Sequence, residues 1–173
     1  MTTTRSTLSA LLVALACAVP ASRAAGLDIH ADADLADIGL PLYPGAVKRP
    51  QKDIDSAGFS FGLWGSAWGL KLDVLNYRSN AEVEDVAAFY REALARLGPL
   101  VDCTARRPAA AASAPAPKKA AKDAPIGCGD DTITPGGRLY KAGTESDHRI
   151  VAIKPQSRGV SFVLTRIQAR GTD

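Results

Sequence analysis

Two histidines, three cysteines and a few clustered carboxylates are the groups in this sequence that could do chemistry. Ser146, Asp147 and His148 stand side by side, the three residue types of an acyl-transfer relay. Such a relay needs side chains that converge from separate elements, so three neighbours do not compose it. Asp28, His30, Asp32, Asp34 and Asp37 offer carboxylates and an imidazole to a divalent cation. Their spacing lacks the glycine and the closing glutamate of a calcium loop, and it reads instead as a solvated acidic arm. No GxSxG elbow, Walker loop, GxGxxG after a strand, or HExxH pattern occurs. The expectation is a protein that is not an enzyme, without catalytic residues, cofactor or metal. An enzyme of a type without these signatures is kept as an alternative.

The cysteines carry compartment information. Cys17 sits in a short apolar run, Leu8 to Val19, behind Arg5 and ahead of Ser22-Arg23-Ala24. That is the pattern of a secretory signal peptide over 1–24, too short to remain as a membrane span. Ala14-Leu15-Ala16-Cys17 also resembles a lipobox, which would leave the protein lipid-anchored through Cys17. Cleavage after Ala24 leaves Cys103 and Cys128, and a lone pair in an oxidising compartment reads as a disulfide. On the chain-entropy account, closing their loop stabilises the fold by roughly 3 to 4 kcal/mol. Cleavage also removes Arg5 and Arg23 from the 21 Lys plus Arg, leaving 19 against 18 Asp plus Glu, a net charge of +1. A near-neutral exported chain is not a nucleic-acid binder, and no later stretch is apolar enough to cross a membrane.

Residues 57–77 have the most unusual composition. Phe59, Phe61, Trp64 and Trp68 are set among Gly58, Gly62, Gly65 and Gly69. Glycines beside aromatics leave room for a ligand, so these four aromatics are the candidate binding residues for a small apolar molecule or lipid. The competing reading has them fill the core. Further on, Leu70, Leu72 and Val74 share one face and Lys71 and Asp73 the other, which predicts a half-buried strand.

These residues need elements to position them, and the clearest is a helix. In Ser79 to Pro99, Val83, Val86, Ala87, Tyr90, Leu94 and Leu97 recur at three- and four-residue steps and share one face. Ser79 and Glu82 have capping-box spacing, and Gly98-Pro99 closes the helix. Tyr43-Pro44-Gly45 predicts a type II turn. The segment 104–127 is a low-complexity tract of Ala, Pro and basic residues, expected to be disordered, and the two cysteines bracket it. From Arg138 onward the pattern is a three-stranded meander, with Val151 and Ile153 on one strand and Val160, Phe162 and Leu164 on the next. The fold expected is α+β, an antiparallel sheet of about four or five strands covered by one main amphipathic helix at 80–97. The divisions expected are a signal peptide at 1–24, an acidic flexible arm at 25–37, and a single α+β domain at 38–173 with the basic insertion at 104–127.

The sequence LPLYPGA at Leu40 to Ala46, VAAFYREALARLG at Val86 to Gly98, and the terminal IVAIKP and VSFVLTRIQARG together resemble a family of exported bacterial proteins. In that family a YPGA turn precedes a helix with an FY…L…G core. The resemblance implies a shared framework and no activity, substrate or site residue. The functional expectation is an exported, periplasmic or extracellular, non-catalytic module of the cell envelope, structural or protein-binding. Its partner would be an envelope protein. The alternative is a carrier whose partner is a small apolar ligand, held by the Gly-aromatic segment 57–69.

Overall fold

The computed structural model describes residues 25–31, 33–50, 56–105, 124, 126–129, 131 and 133–171. The expected signal peptide with Cys17, Asp32 of the acidic arm, and residues 106–123 of the basic tract lie outside the described residues. Strand makes up 46% of the structure and helix 14%, so the α+β expectation is overturned: this is mostly antiparallel sheet. In place of four or five strands under one main helix there are eight strands in one sheet and two short helices.

The strands are β1 (Gly26–His30), β2 (Val47–Lys48), β3 (Gly58–Trp64), β4 (Gly69–Ser79), β5 (Leu100–Asp102), β6 (Arg138–Gly143), β7 (Asp147–Pro155) and β8 (Val160–Arg170), with helices α1 (Leu35–Ile38) and α2 (Val83–Ala95). Their spatial order is β1-β3-β4-β8-β7-β6-β5, and β2 pairs with the far end of β4. After the β3–β4 hairpin, α2 carries the chain to β5 at the opposite edge. The meander β5-β6-β7-β8 then returns, and β8 lands beside β4. The pairing runs unbroken from Gly69↔Arg170 to Ser79↔Val160.

Part of the extra sheet comes from the acidic stretch. Residues 26–30 pair with β3 from Gly26↔Trp64 to His30↔Ser60, yet every residue of β1 is exposed. Leu27 and Ile29 alternate with Asp28 and His30, but over so few residues, next to a run of aspartates, the alternation is too short to decide. The rest comes from elements of two or three residues, β2 and β5, which are below the length that periodicity can report.

Residues paired directly across antiparallel strands point to the same side, so the register divides every strand between two faces. One face, here the helix face, carries Leu75, Tyr77, Tyr140, Val151, Ile153, Phe162 and Leu164, packed against Val86, Ala87, Tyr90 and Leu94 of α2 and against Ile38 and Leu40. Stacked Tyr77 and Phe162 rings (5.6 Å between centroids) and the tilted Tyr90–Phe162 pair (5.4 Å) form its centre. The meander residues point inward as their alternation predicts. In β4, Asp73, Leu75 and Tyr77 are buried on the helix face, while Leu70, Leu72 and Val74 are half-buried on the other.

Helix α2 also starts later than its capping pattern predicts. Ser79 remains in β4, paired with Val160, and its Oγ accepts from Ala81 N at 3.2 Å; Glu82 takes the N-cap place without a side-chain bond. The Pro-Gly turn forms as expected, with Ala46 N donating to Tyr43 O at 3.0 Å and Gly45 at φ 74°. It is tied to the helix: Tyr43 N donates to Tyr90 Oη at 3.3 Å, and the Tyr43 ring meets Phe89 edge-on at 5.3 Å. Burial pushes the Tyr90 phenol far above its ordinary value, so the hydroxyl stays neutral.

Leu94 is fully buried, so Leu94→Ala should lower stability by about 2 to 5 kcal/mol. Tyr90→Phe removes only the bond to the turn and should cost about 1 kcal/mol. Urea unfolding measures both. Equal losses would mean that the hydroxyl, rather than the ring, anchors α2.

Candidate functional site

The four aromatic candidates do not converge. Phe59 and Phe61 pair with Val74 and Leu72 on the face away from the helices. Trp64 lies on the helix face opposite Gly69, and Trp68 is exposed at the β3–β4 turn. The glycines explain why. A Cβ at Gly69 would collide with Trp64 Cε3, and one at Gly62 would lie 3.1 Å from Trp64 Nε1, so the space they clear is filled by the indole itself. The Arg170 guanidinium lies over this ring, 5.0 Å from its centroid.

Beyond Trp64 the helix face is ionic. Asp73, wholly buried, accepts from Ser60 Oγ at 2.6 Å through Oδ1. Its Oδ2 is 3.2 Å from Lys71 Nζ, an ion pair too poorly aligned to count as a hydrogen bond, and it has no hydrogen-bond partner among the described residues. Lys71 also donates to Asp37 Oδ1 at 2.8 Å. Alongside, Asp147 receives Arg166 through both oxygens, each at 3.0 Å, and Arg149 at 2.9 Å. Both arginines then reach the last carbonyls of α1: Arg166 donates to Asp37 O at 2.9 Å and Arg149 to Ile38 O at 3.1 Å. This network pins α1 to β4, β7 and β8.

The protonation states follow from these contacts. The hydrogen bond from Lys71 holds the Asp37 carboxyl below the usual carboxylate range. Burial alone would pull the Lys71 ammonium down, but the hydrogen bond to Asp37 and the ion pair with Asp73 together raise it. Burial likewise works against Asp147, and Arg166 and Arg149 overcome it, lowering that carboxyl. A proton-transfer group works best near the operating pH. These shifts lead away from it, as expected of a structural ionic network.

A recess of about 240 Å³ borders the network, lined by Asp28, His30, Asp37, Ser60, Trp64 and Lys71. Asp28 and His30, 2.7 Å apart, are exposed on β1 at its rim. Among the described residues no group of three His, Cys, Asp or Glu side chains is placed to hold a metal ion. Nor do Ser146, Asp147 and His148 assemble. Asp147 belongs to the helix face with Arg166, whereas His148 is on the other side of β7, its Nδ1 3.0 Å from Thr144 O.

The opposite face is of another kind. The pairings place Leu27, Ile29, Phe59, Phe61, Leu63, Leu70, Leu72, Val74, Val163, Ile167 and Ile150 on it, across β1, β3, β4, β8 and β7. Helix α1 packs on β4 and β8 and α2 on β5, β6 and β7, both from the helix side. Neither reaches this open face. Leu27 and Ile29 are 63% and 65% exposed. The strand carboxylates, Asp28, Asp73, Asp102 and Asp147, all point the other way.

No protein-family model, curated protein or solved structure matches this chain. The YPGA and FY…L…G motifs are accounted for by the Tyr43–Phe89–Tyr90 contacts, which join turn to helix. Cys103 and Cys128 are disulfide-bonded, their Cα atoms 5.4 Å apart, which fits an oxidising compartment. The bond holds Gly127 and Cys128 near β6, where Lys141 Nζ donates to Gly127 O at 3.3 Å and pairs with Asp131. No described helix is long and apolar enough to cross a membrane.

The alternation of Leu70, Leu72 and Val74 with Lys71 and Asp73 identifies two faces of a half-buried strand but not which one the helices cover. The available signal was the parity of the strand carboxylates, which becomes readable only once the pairing register is known.

The network predicts an acid limb. Asp37 and Asp147 have folded-state values below their unfolded ones. Their contribution is therefore full at neutral pH and is lost as pH falls below about 4. Urea midpoints should drop between about pH 4 and pH 2, and Asp147→Asn should be less stable at pH 7 with a shallower acid limb. An Asp147→Asn protein with an unchanged acid limb would contradict this assignment.

Proposed function

We propose that this protein is an exported, non-catalytic module of the cell envelope that works by binding, with the open sheet face as its working surface. The observation that carries this reading is the division of the sheet: ionisable groups are locked together on the helix face, and the other face is apolar, uncovered by either helix and free of strand carboxylates. Leu27, Ile29 and Phe59 are exposed on it and its other apolar side chains half-buried, a contiguous apolar surface across five strands of the kind that marks an interaction site. The partner it suits is apolar at its centre and anionic at its rim. The disulfide supports export, as does the signal-peptide pattern at 1–24. The carrier alternative gains less support, because Phe59 and Phe61 are separated from Trp64 by the thickness of the sheet.

Two measurements test this. Expressed in a bacterial host, the chain should appear outside the cytoplasm with its amino terminus at Ala25, or lipidated at Cys17. Full-size protein retained in the cytoplasm would contradict export. Anilinonaphthalene sulfonate, itself apolar and anionic, should bind the native protein at pH 7. Its emission should fall severalfold for Phe61→Thr with Leu72→Thr, at a stability change of about 1 kcal/mol or less per site. A native protein that leaves the dye dark would overturn the working-surface reading.

A further inference from the structure

Lys141 of β6, paired with Ile150, also lies on the open face, where Asp131 neutralises it; among the described residues, the cations without an ion-pair partner are at one end of the face. Ser161 of β8 pairs with Arg78 of β4 on one side and with Lys154 of β7 on the other, so Arg78, Ser161 and Lys154 form a row across three strands. At strand spacings of about 4.8 Å the two cations stand about 10 Å apart. Both are exposed, and neither makes an ion pair among the described residues. The Ser161 hydroxyl between them is held by Gln156 Nε2 at 3.0 Å. From this row the apolar side chains of β4 and β8 run to the β3–β4 turn, where Trp68 is 47% exposed. Tryptophan is the side chain most at home where apolar and aqueous regions meet.

We propose that the open face docks on the surface of a bilayer containing anionic phospholipid. The apolar side chains of β1, β3, β4 and β8 enter the acyl boundary, Arg78 and Lys154 take headgroup phosphates, and Trp68 sits at the interface. The proposal rests on the reading of this face as the working surface and names its partner. Charge complementarity selects the occupant. A second copy would bring no free carboxylate among the described strand residues to meet Arg78 and Lys154: the strand carboxylates lie on the other face, and Asp131, beside β6, is already engaged by Lys141. An anionic headgroup layer supplies that charge beside an apolar layer, the same arrangement in which the face presents its cations and its leucines.

The test is co-sedimentation of the exported protein with vesicles of phosphatidylglycerol and phosphatidylcholine in equal parts, and with phosphatidylcholine alone. Binding is expected to the anionic vesicles and to be much weaker to the neutral ones. Arg78→Gln and Lys154→Gln should each weaken it about fivefold, and Leu72→Asp about tenfold or more, by removing a buried side chain of Leu size. Lys48→Gln and Leu97→Asp, exposed on the helix side, should change nothing. The two glutamine variants are surface changes that leave folding intact, so the result stands even if Leu72→Asp does not fold. Equal losses from Lys48→Gln would show nonspecific charge attraction and overturn the proposal. So would a dimer in native mass spectra that Leu72→Asp dissociates. Absence of vesicle binding, with dye binding still sensitive to Phe61→Thr and Leu72→Thr, would overturn the lipid partner and leave the working surface in place.

Discussion

The pairing of β4 with β8 is the constraint on which the rest of the molecule depends. It joins the amino-terminal strands to the returning meander, and its register from Gly69↔Arg170 to Ser79↔Val160 decides which side every neighbouring residue takes. A slip of one residue would exchange the two faces. Asp73, Leu75 and Tyr77 would turn outward, and the ion pairs that hold α1 would have no partners. The buried Asp73 and the aromatic stack of Tyr77 and Phe162 therefore depend on the same register.

That register gives one sheet two different jobs. Near α2 the helix face is an apolar core, and toward β1 it becomes an ionic floor of Asp37, Lys71, Asp73, Asp147, Arg149 and Arg166. A lone charge in such a place would be costly, but here the charged groups meet one another or the terminal carbonyls of α1. The floor thus fixes a helix of only four residues, too short to persist alone. With the polar groups gathered on that side, the other face is left to apolar side chains. It is on this residue-by-residue separation that the functional reading depends.

The sequence carried the local features well. The Pro-Gly turn, the apolar stripe of α2 and the inward residues of β7 and β8 all have periods or residue types that point to one answer. Tertiary choices were less visible. Ser79 has a capping pattern, yet the sheet claims it through Val160. Leu70, Leu72 and Val74 share a face, but alternation identifies two faces without saying which is covered. The covered side is settled by Lys71 and Asp73 meeting Asp37 and Ser60, partners distant in sequence. The Gly-aromatic segment suggested a cleft for a ligand, and Gly62 and Gly69 instead make room for Trp64, as Gly65 does for Trp68. Strand β1, exposed throughout, alternates over only Leu27 to His30, too short a run to decide, and its absence from the expected sheet helped make the fold look less β-rich than it is.

Hydroxyl-radical footprinting of the exported protein, alone and with anionic vesicles, tests the two-faced sheet most directly. The account predicts that Phe59, Phe61, Leu70 and Leu72 oxidise readily in the isolated native protein while Tyr90 and Leu164 do not. It also predicts that vesicles protect the first group and leave Leu97, on the helix side, as reactive as before. If Phe61 and Leu72 were as inert as Leu164 in the isolated protein, the face would be covered and the central claim would fail.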